Sequence, residues 1–350
     1  MKILYILLAV FIFGMLITVH ELGHYIFARI FKVKIYEFSI GMGPKIFSVR
    51  SKKTDIKYSL GIFPIGGYVS MAGEDEESDE PNSLDKKPVW QRMIITAAGA
   101  FMNLVLGFVL MLVLVSNTVV GTTVVADFLP METTGYTVST EGTLMPYDEI
   151  IEIDGARVHT AAELDYEIMH SEGGALLVTV IRNGEELELT VVFPTVVSGG
   201  NKYGGRDFRI YAERERSFGS VMKHAWFRST STVKMVCESL VDLVRGRYGF
   251  EAVSGPVGVT TVITDAASSK DGWLNVIYLT GVITINLGVF NLLPIPALDG
   301  GRLVFLLVEL IRRKPAPPKV EGYVNGIGLL ILFGLMIAVT FKDIFVLIFN

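Results

Sequence analysis

Four apolar runs of membrane-crossing length constrain this chain more than any other feature. A bilayer core takes about 20 consecutive apolar residues of helix, and runs of that order fall near 3–30, 93–116, 273–311 and 324–349. The third is overlong and interrupted by NLLPIPALDGGR. Composition agrees: 51% of the residues are hydrophobic and 19% charged, against roughly 25% charged in soluble domains. A net charge of -5 without a basic stripe excludes a nucleic-acid partner. Cys237 is the only cysteine, which excludes an intrachain disulfide and a cysteine-rich zinc site. The first run follows Lys2 as a signal peptide would, but it continues through HELGH to Ile30 without a small-residue cleavage site. A retained span is expected.

Loop charges predict the orientation. Lys32, Lys34, Lys45, Arg50, Lys52, Lys53 and Lys57 crowd the loop after the first run, and Arg312, Arg313, Lys314 and Lys319 the loop before the fourth. By the positive-inside rule both are cytoplasmic, so the N-terminus, residues 117–250 and the C-terminus lie outside. The acidic run EDEESDE (74–80) reads as a solvated linker with no site implied.

Between the first two runs, FSIGMGPKIFSV and DIKYSLGIFPIGGYVSM are strand-like and joined by polar residues 50–55, which predicts a β-hairpin over about 34–72. The pattern fits a membrane re-entrant hairpin and a cytoplasmic one equally. In the external stretch, DEIIEIDGARV, AAELDYEIMHSE and ALLVTVIRNGEELELTVVF read as strand, helix and hairpin, with a turn at Asn183-Gly184. A small α+β module follows from that order. Apolar positions at helical spacing over 217–245 predict an amphipathic helix lying on a membrane surface. The expected fold class is a polytopic α-helical membrane protein with four transmembrane helices, a membrane-associated β-hairpin and an inserted extracytoplasmic α+β domain. The expected divisions are 1–116, 117–200, 201–272 (a helical connector) and 273–350.

The chemistry starts at TVHELGHYIF. His20 and His24, four residues apart, share one helix face and can reach one metal ion. Glu21 projects beside them, placed to take a proton from water that the metal activates. This is the HExxH arrangement of zinc proteases. Ionisable groups inside a span are costly and mark function far more often than a structural polar cluster. Two histidines leave a catalytic zinc one protein ligand short. His159, His170 and His224 fall in the external stretch and read as surface residues. Asp299, inside the broken third run, serves alone either as a helix cap or as a ligand; the HELGH segment favours the ligand. Pro294 and Pro296 break the helix there, and Gly300-Gly301 allow close backbone approach.

These residues resemble the site-2 protease family of intramembrane zinc metalloproteases, peptidase family M50, and within it the RseP/RasP type. HELGH at 20–24 matches the HExxH motif and NLLPIPALDGG at 291–301 matches NxxPxxxLDG. GMGPK (41–45), PIGGYVSM (64–71), AAG (97–99) and SGPVG (254–258) add to the likeness. The resemblance implies Zn2+ held by His20, His24 and Asp299, Glu21 as catalytic base, and Asn291 holding the substrate strand. It implies that the 34–72 hairpin re-enters the membrane and that the external module is a single PDZ domain admitting transmembrane substrates already trimmed by another protease. AAGAFMN departs from the family's AAGPxxN by carrying Ala100 for proline, and Tyr147 stands where the PDZ pattern has glycine.

A catalytically silent scaffold binding peptides through its PDZ module is one rival, opposed by the intact HELGH and Asp299. A metal transporter is another; it calls for ionisable residues on several spans and for internal repeats. The second and fourth runs hold almost none, and no repeat is found. The reading is an endopeptidase cutting single-span membrane proteins in the bilayer, of the anti-sigma-factor or remnant-signal-peptide kind. It would be a multi-pass protein of a bacterial cell membrane.

Overall fold

The first apolar run folds as one unbroken helix, α1 (Lys2–Ile30). It stops where Lys32 turns left-handed (φ 57°) and the Val33 amide reaches back to Ala28 O at 2.8 Å, a Schellman-type end. The structure is a computed structural model that describes residues 2–74, 76, 78–198, 201–213, 217–247, 253–315 and 317–349. Two compact units emerge, Met1–Leu110 with Thr232–Asn350, and Met111–Ser231.

After α1 come β1 (Ile35–Arg50) and β2 (Lys57–Met71), more elaborate than a hairpin. Glu37 pairs with both Lys57 and Ser70, and Ile40 with both Leu60 and Gly67. Each strand is bent, so their halves lie in the order 67–71, 35–40, 57–60, 47–50. The bends fall at Gly41 (φ 76°), Gly43 (φ 85°) and Gly66 (φ 83°), a backbone region open to glycine at little cost. The half nearest α1 is packed: Ile35, Phe38, Val69 and Met71 are buried with Ala28 and Ile95. The far half leaves Ile46, Phe47, Val49, Ile62 and Phe63 exposed. The second span, α2 (Val89–Asn117), follows.

Within Met111–Ser231, the chain forms β3 (Gly121–Phe128), the single turn α3 (Met131–Thr134), β4 (Glu149–Ile153) and β5 (Ala156–Arg157). Then come α4 (Ala161–His170), β6 (Gly174–Arg182), β7 (Glu185–Phe193), β8 (Thr195–Ser198), β9 (Asn201–Gly204) and β10 (Phe208–Ala212). The main sheet runs β10-β3-β4-β6-β7, antiparallel throughout. Its core is Val125, Ile150, Leu164, Ile168, Val178, Val180 and Phe193. Alternation explains the register: Leu176, Val178 and Val180 point inward while Leu177 is exposed. The Asn183-Gly184 turn forms as the sequence predicts, with φ 54° and 85° and Arg182 opposite Glu185. Thr160 caps α4 by accepting from the Glu163 amide. The stretch read from sequence as helical connector is corrected at its start, since β9 and β10 occupy 201–212; β10 closes the sheet beside β3.

The amphipathic helix is α5 (Phe218–Val244). His224 is not a surface residue as the sequence suggested: it is 6% exposed, with Nε2 2.5 Å from Glu213 Oε2. Burial would raise the Glu213 carboxyl, but bonds from Ser220 and His224 outweigh it and hold the group below its ordinary range.

The chain then forms α6 (Pro256–Ser268), α7 (Gly272–Leu292), α8 (Asp299–Arg312) and α9 (Pro318–Phe349). Among described residues, α1, α2, α7 and α9 are long and apolar enough to cross a membrane. The third apolar run is thus one span, α7, and a separate amphipathic helix, α8. Asp343, in the apolar α9, is 8% exposed and has a structural job: its Oδ2 accepts from the Gly255 and Gly258 amides at 2.9 and 2.8 Å, capping α6.

Candidate active site

One helical turn separates His20 from His24 on α1, and their rings meet edge to face with centroids 4.8 Å apart. Asp299 arrives from the first residue of α8, beyond the break. His20 Nε2 lies 3.2 Å from His24 Nε2, and Asp299 Oδ2 lies 3.2 and 3.5 Å from the two nitrogens. Four ligands set tetrahedrally at zinc–ligand distances of about 2.0–2.1 Å stand about 3.3–3.4 Å apart. The observed triangle has that size. Asp299 Oδ2 is buried without a geometric hydrogen bond, so two imidazole nitrogens and a carboxylate oxygen face one another across a space of cation size. Two imidazoles and a carboxylate suit zinc. The donor set fits the ion.

The loop after α7 explains the LDGG sequence. Residues 293–296 fold back over the first turn of α8; a Cβ on Gly300 would stand 2.0 Å from Leu293 O, and one on Gly301 2.4 Å from Ile295 O. Only glycines let the chain pack this tightly while presenting Asp299. Asn325 of α9 holds the loop, accepting from the Ala297 amide at 3.2 Å.

A stripe of α2 at i, i+4, i+8 backs the histidines. Ile95 O lies 2.8 Å from His24 Nδ1, fixing that ring through a main-chain acceptor. A Cβ on Gly99 would stand 2.3 Å from His24 Nε2 and 2.7 Å from His20 Nε2, so the helix is bare where the rings pass. Asn103, with no exposed surface, places Nδ2 3.3 Å from His20 Nδ1. Gly23 lets α1 approach α2, where a Cβ would meet Ala98 O at 2.2 Å. Thr284 of α7 donates to Asn103 O at 3.2 Å, tying the third span to the same level.

A cavity of about 410 Å³ opens on the three converging side chains and includes Glu21 in its wall. Tyr68, Val69, Ser70 and Met71 form another wall. That half of β2 pairs with 35–40 on one side and, among described residues, with no strand on the other. It presents a free edge to the cavity, close to Glu21: a Cβ on Gly67 would lie 3.5 Å from Glu21 Cγ.

The sequence reading missed two wall residues. Glu74, the first residue of the acidic run, is no free linker residue: its carboxylate accepts from the Met71 amide at 3.3 Å and from Arg302 at 3.2 Å, and Arg302 also donates to Glu74 O. Asp75 and Glu77 lie outside the described residues. Arg302, one turn beyond Asp299, is a charge within the third apolar run of the sequence, the signal that could have flagged it. The structure does not bring Asn291 to the cavity wall; its side-chain amide donates to Leu287 O of its own helix at 3.0 Å.

Comparison with known proteins places the chain in a family. The profile of Peptidase family M50 matches residues 8–335. A provisionally named zinc metalloprotease of Clostridium perfringens, CPE1693, is 34% identical over 97% of this chain and 98% of its own length. The Regulator of sigma-W protease RasP of Bacillus subtilis is 30% identical over 96% of this chain and 97% of its own, and the zinc metalloprotease RasP of Shouchella clausii is 29% identical over 95% and 97%. The chain belongs to peptidase family M50, the site-2 type zinc metallopeptidases. It is a multi-pass membrane protein with a β region.

Proposed function

We propose that this chain hydrolyses peptide bonds of single-span membrane proteins within the bilayer, using a zinc ion held by His20, His24 and Asp299. The observation that carries the reading is the convergence of those three donors, with Glu21, on one cavity fed by helices of membrane-crossing length. Zinc bound there supplies Lewis acidity, which acidifies water and polarises a carbonyl. Glu21 takes the proton from the attacking water and gives it to the departing amine.

A transmembrane helix hides its carbonyls in internal hydrogen bonds, so it must unwind before attack. The free edge at 67–71 can receive the unwound segment as an added strand, exchanging lost helix bonds for sheet bonds. That placement is supported by the edge lining the same cavity as Glu21 and passing close to it. The exposed apolar far half of β1 and β2 supports re-entry into lipid. We assign Asn291 to substrate contact only after a rearrangement that frees its amide from Leu287.

The antiparallel sheet with α4 supports a PDZ-like reading of Met111–Ser231. Tyr147, where that family pattern has glycine, adopts φ 75°, the backbone region that makes glycine usual there. In this reading the unit lies outside the cell and filters substrates pre-trimmed by another protease, the B. subtilis relative's name pointing to sigma-factor control.

The test compares purified wild type, Glu21→Gln and Asp299→Ala for metal content and for cleavage of a model single-span substrate. Glu21→Gln should keep about one zinc and lose cleavage by at least about 100-fold, while Asp299→Ala should lose both. Cleavage at the wild-type rate in either variant would overturn the assignment.

A further inference from the structure

Asn103 presents an unsolved contact. Its Nδ2 lies 3.3 Å from His20 Nδ1, while its Oδ1 is buried with no hydrogen-bond partner. The two ends of a carboxamide exchange by a half-turn about the last side-chain bond. Which end faces the ring is decided by the ring's own chemistry. His20 Nε2 is the nitrogen that faces Asp299 and His24, so its lone pair must stay free to hold a cation. The ring proton then sits on Nδ1. An amide nitrogen set against that N–H would oppose two donors in a fully buried position, at a cost of about 1–3 kcal/mol for the unmet group. The half-turn removes the conflict and at the same stroke gives Oδ1 the partner it lacks.

His24 supplies an internal comparison. Its Nδ1 meets Ile95 O, a group that can only accept. Ile95 and Asn103 lie on the same stripe of α2, either side of Gly99. One helix would thus give each metal-holding histidine an acceptor on its remote nitrogen, by main chain for one and by side chain for the other. Ala100, in place of the family's proline, leaves α2 continuous through this stripe.

Building on the zinc-site reading, we propose that Asn103 is a positioning residue. Its Oδ1 accepts from His20 Nδ1–H, locking the tautomer and ring plane that aim Nε2 at the metal. The Thr284 bond to Asn103 O holds this turn of α2 in place.

The test measures zinc affinity of the full-length apo protein in detergent against a chromophoric chelator, for wild type, Asn103→Leu and Asn103→Asp. Leucine keeps the volume without an acceptor, whereas aspartate keeps the acceptor. Loss of such an outer partner typically costs about 10–100-fold in metal affinity. Asn103→Leu should show that loss, and Asn103→Asp should bind as tightly as wild type or more so. Wild-type affinity in Asn103→Leu would overturn the proposal. So would equal loss in both variants when their apo forms unfold at the wild-type temperature, which marks a packing role. A second readout needs no variant: the imidazole nitrogen spectrum of labelled, zinc-loaded protein should show His20 metal-bound through Nε2 and protonated at Nδ1, and His20 bound through Nδ1 would overturn it. Wild type that binds no zinc would remove the site reading itself, a failure distinct from the others.

Discussion

At the scale of single residues, the site is defined as much by what is missing as by what is present. Gly99 is the sharpest case. A methyl group there would occupy the space of both imidazoles, yet alanine is a better helix former than glycine by about 1 kcal/mol. Overpacking against the rings costs about 1–3 kcal/mol, more than that gain, so Gly99→Ala should lower the apo protein's unfolding temperature slightly. Zinc content should fall well below the wild-type stoichiometry, with cleavage falling alongside it. Full zinc occupancy in that variant would show that the rings do not pass α2 as described. His20 and His24 were legible in the sequence because helical periodicity alone puts them on one face. Asn103 was not, because its partner is 83 residues away. Its one signal was its place at the end of AAGAFMN, which marks the residue but not what it touches.

At the scale of elements, the molecule brings three separated pieces of chain to one cavity: α1, the 67–71 edge of β2, and α8 behind its Pro-Gly loop. The sequence showed that the third apolar run must break, since Pro294 and Pro296 cannot continue a helix and glycines follow. It offered Asp299 as the cap of a following helix, but hydropathy that runs on through α8 hid the division into one span and a separate amphipathic helix. Likewise the strand character of 34–72 was readable, but not the curl of its halves. That depends on pairing between residues up to 36 apart, as Ile35 with Met71, and on a register that alternation leaves open. Glu74 was hidden by its charged neighbours. Its bonds to the Met71 amide and Arg302 clasp the end of the free β2 edge to the helix bearing Asp299. Arg302→Met should release that clasp without touching a metal donor. Zinc content should hold while kcat falls by about tenfold, within the range that small misplacement of reacting groups produces. Measured kcat equal to wild type would reduce the pair to a surface contact. At about a quarter exposed on each partner, it contributes little to global stability.

At the scale of the whole molecule, composition and four apolar runs made membrane residence legible, and basic loop residues predict a direction across the bilayer. The lone cysteine makes that direction measurable. Cys237 is exposed on α5, on the side assigned to the exterior. A membrane-impermeant maleimide added to intact cells should label it. Lys53→Cys, in a Cys237→Ser background, should be labelled only after the membrane is opened. The reverse pattern would invert the topology and place the hydrolytic site toward the opposite face. What loop charge could not reveal is where along a substrate the cut falls, since that depends on the depth at which α1 holds His20 and on the edge beside it. The most direct measurement is therefore the position of the cut. A single-span substrate is incubated with wild type and with Glu21→Gln, and the product termini are read by mass spectrometry. The account predicts new termini inside the apolar span with wild type and none with Glu21→Gln. Cuts confined to the water-exposed flanks, or the same termini with Glu21→Gln, would contradict it.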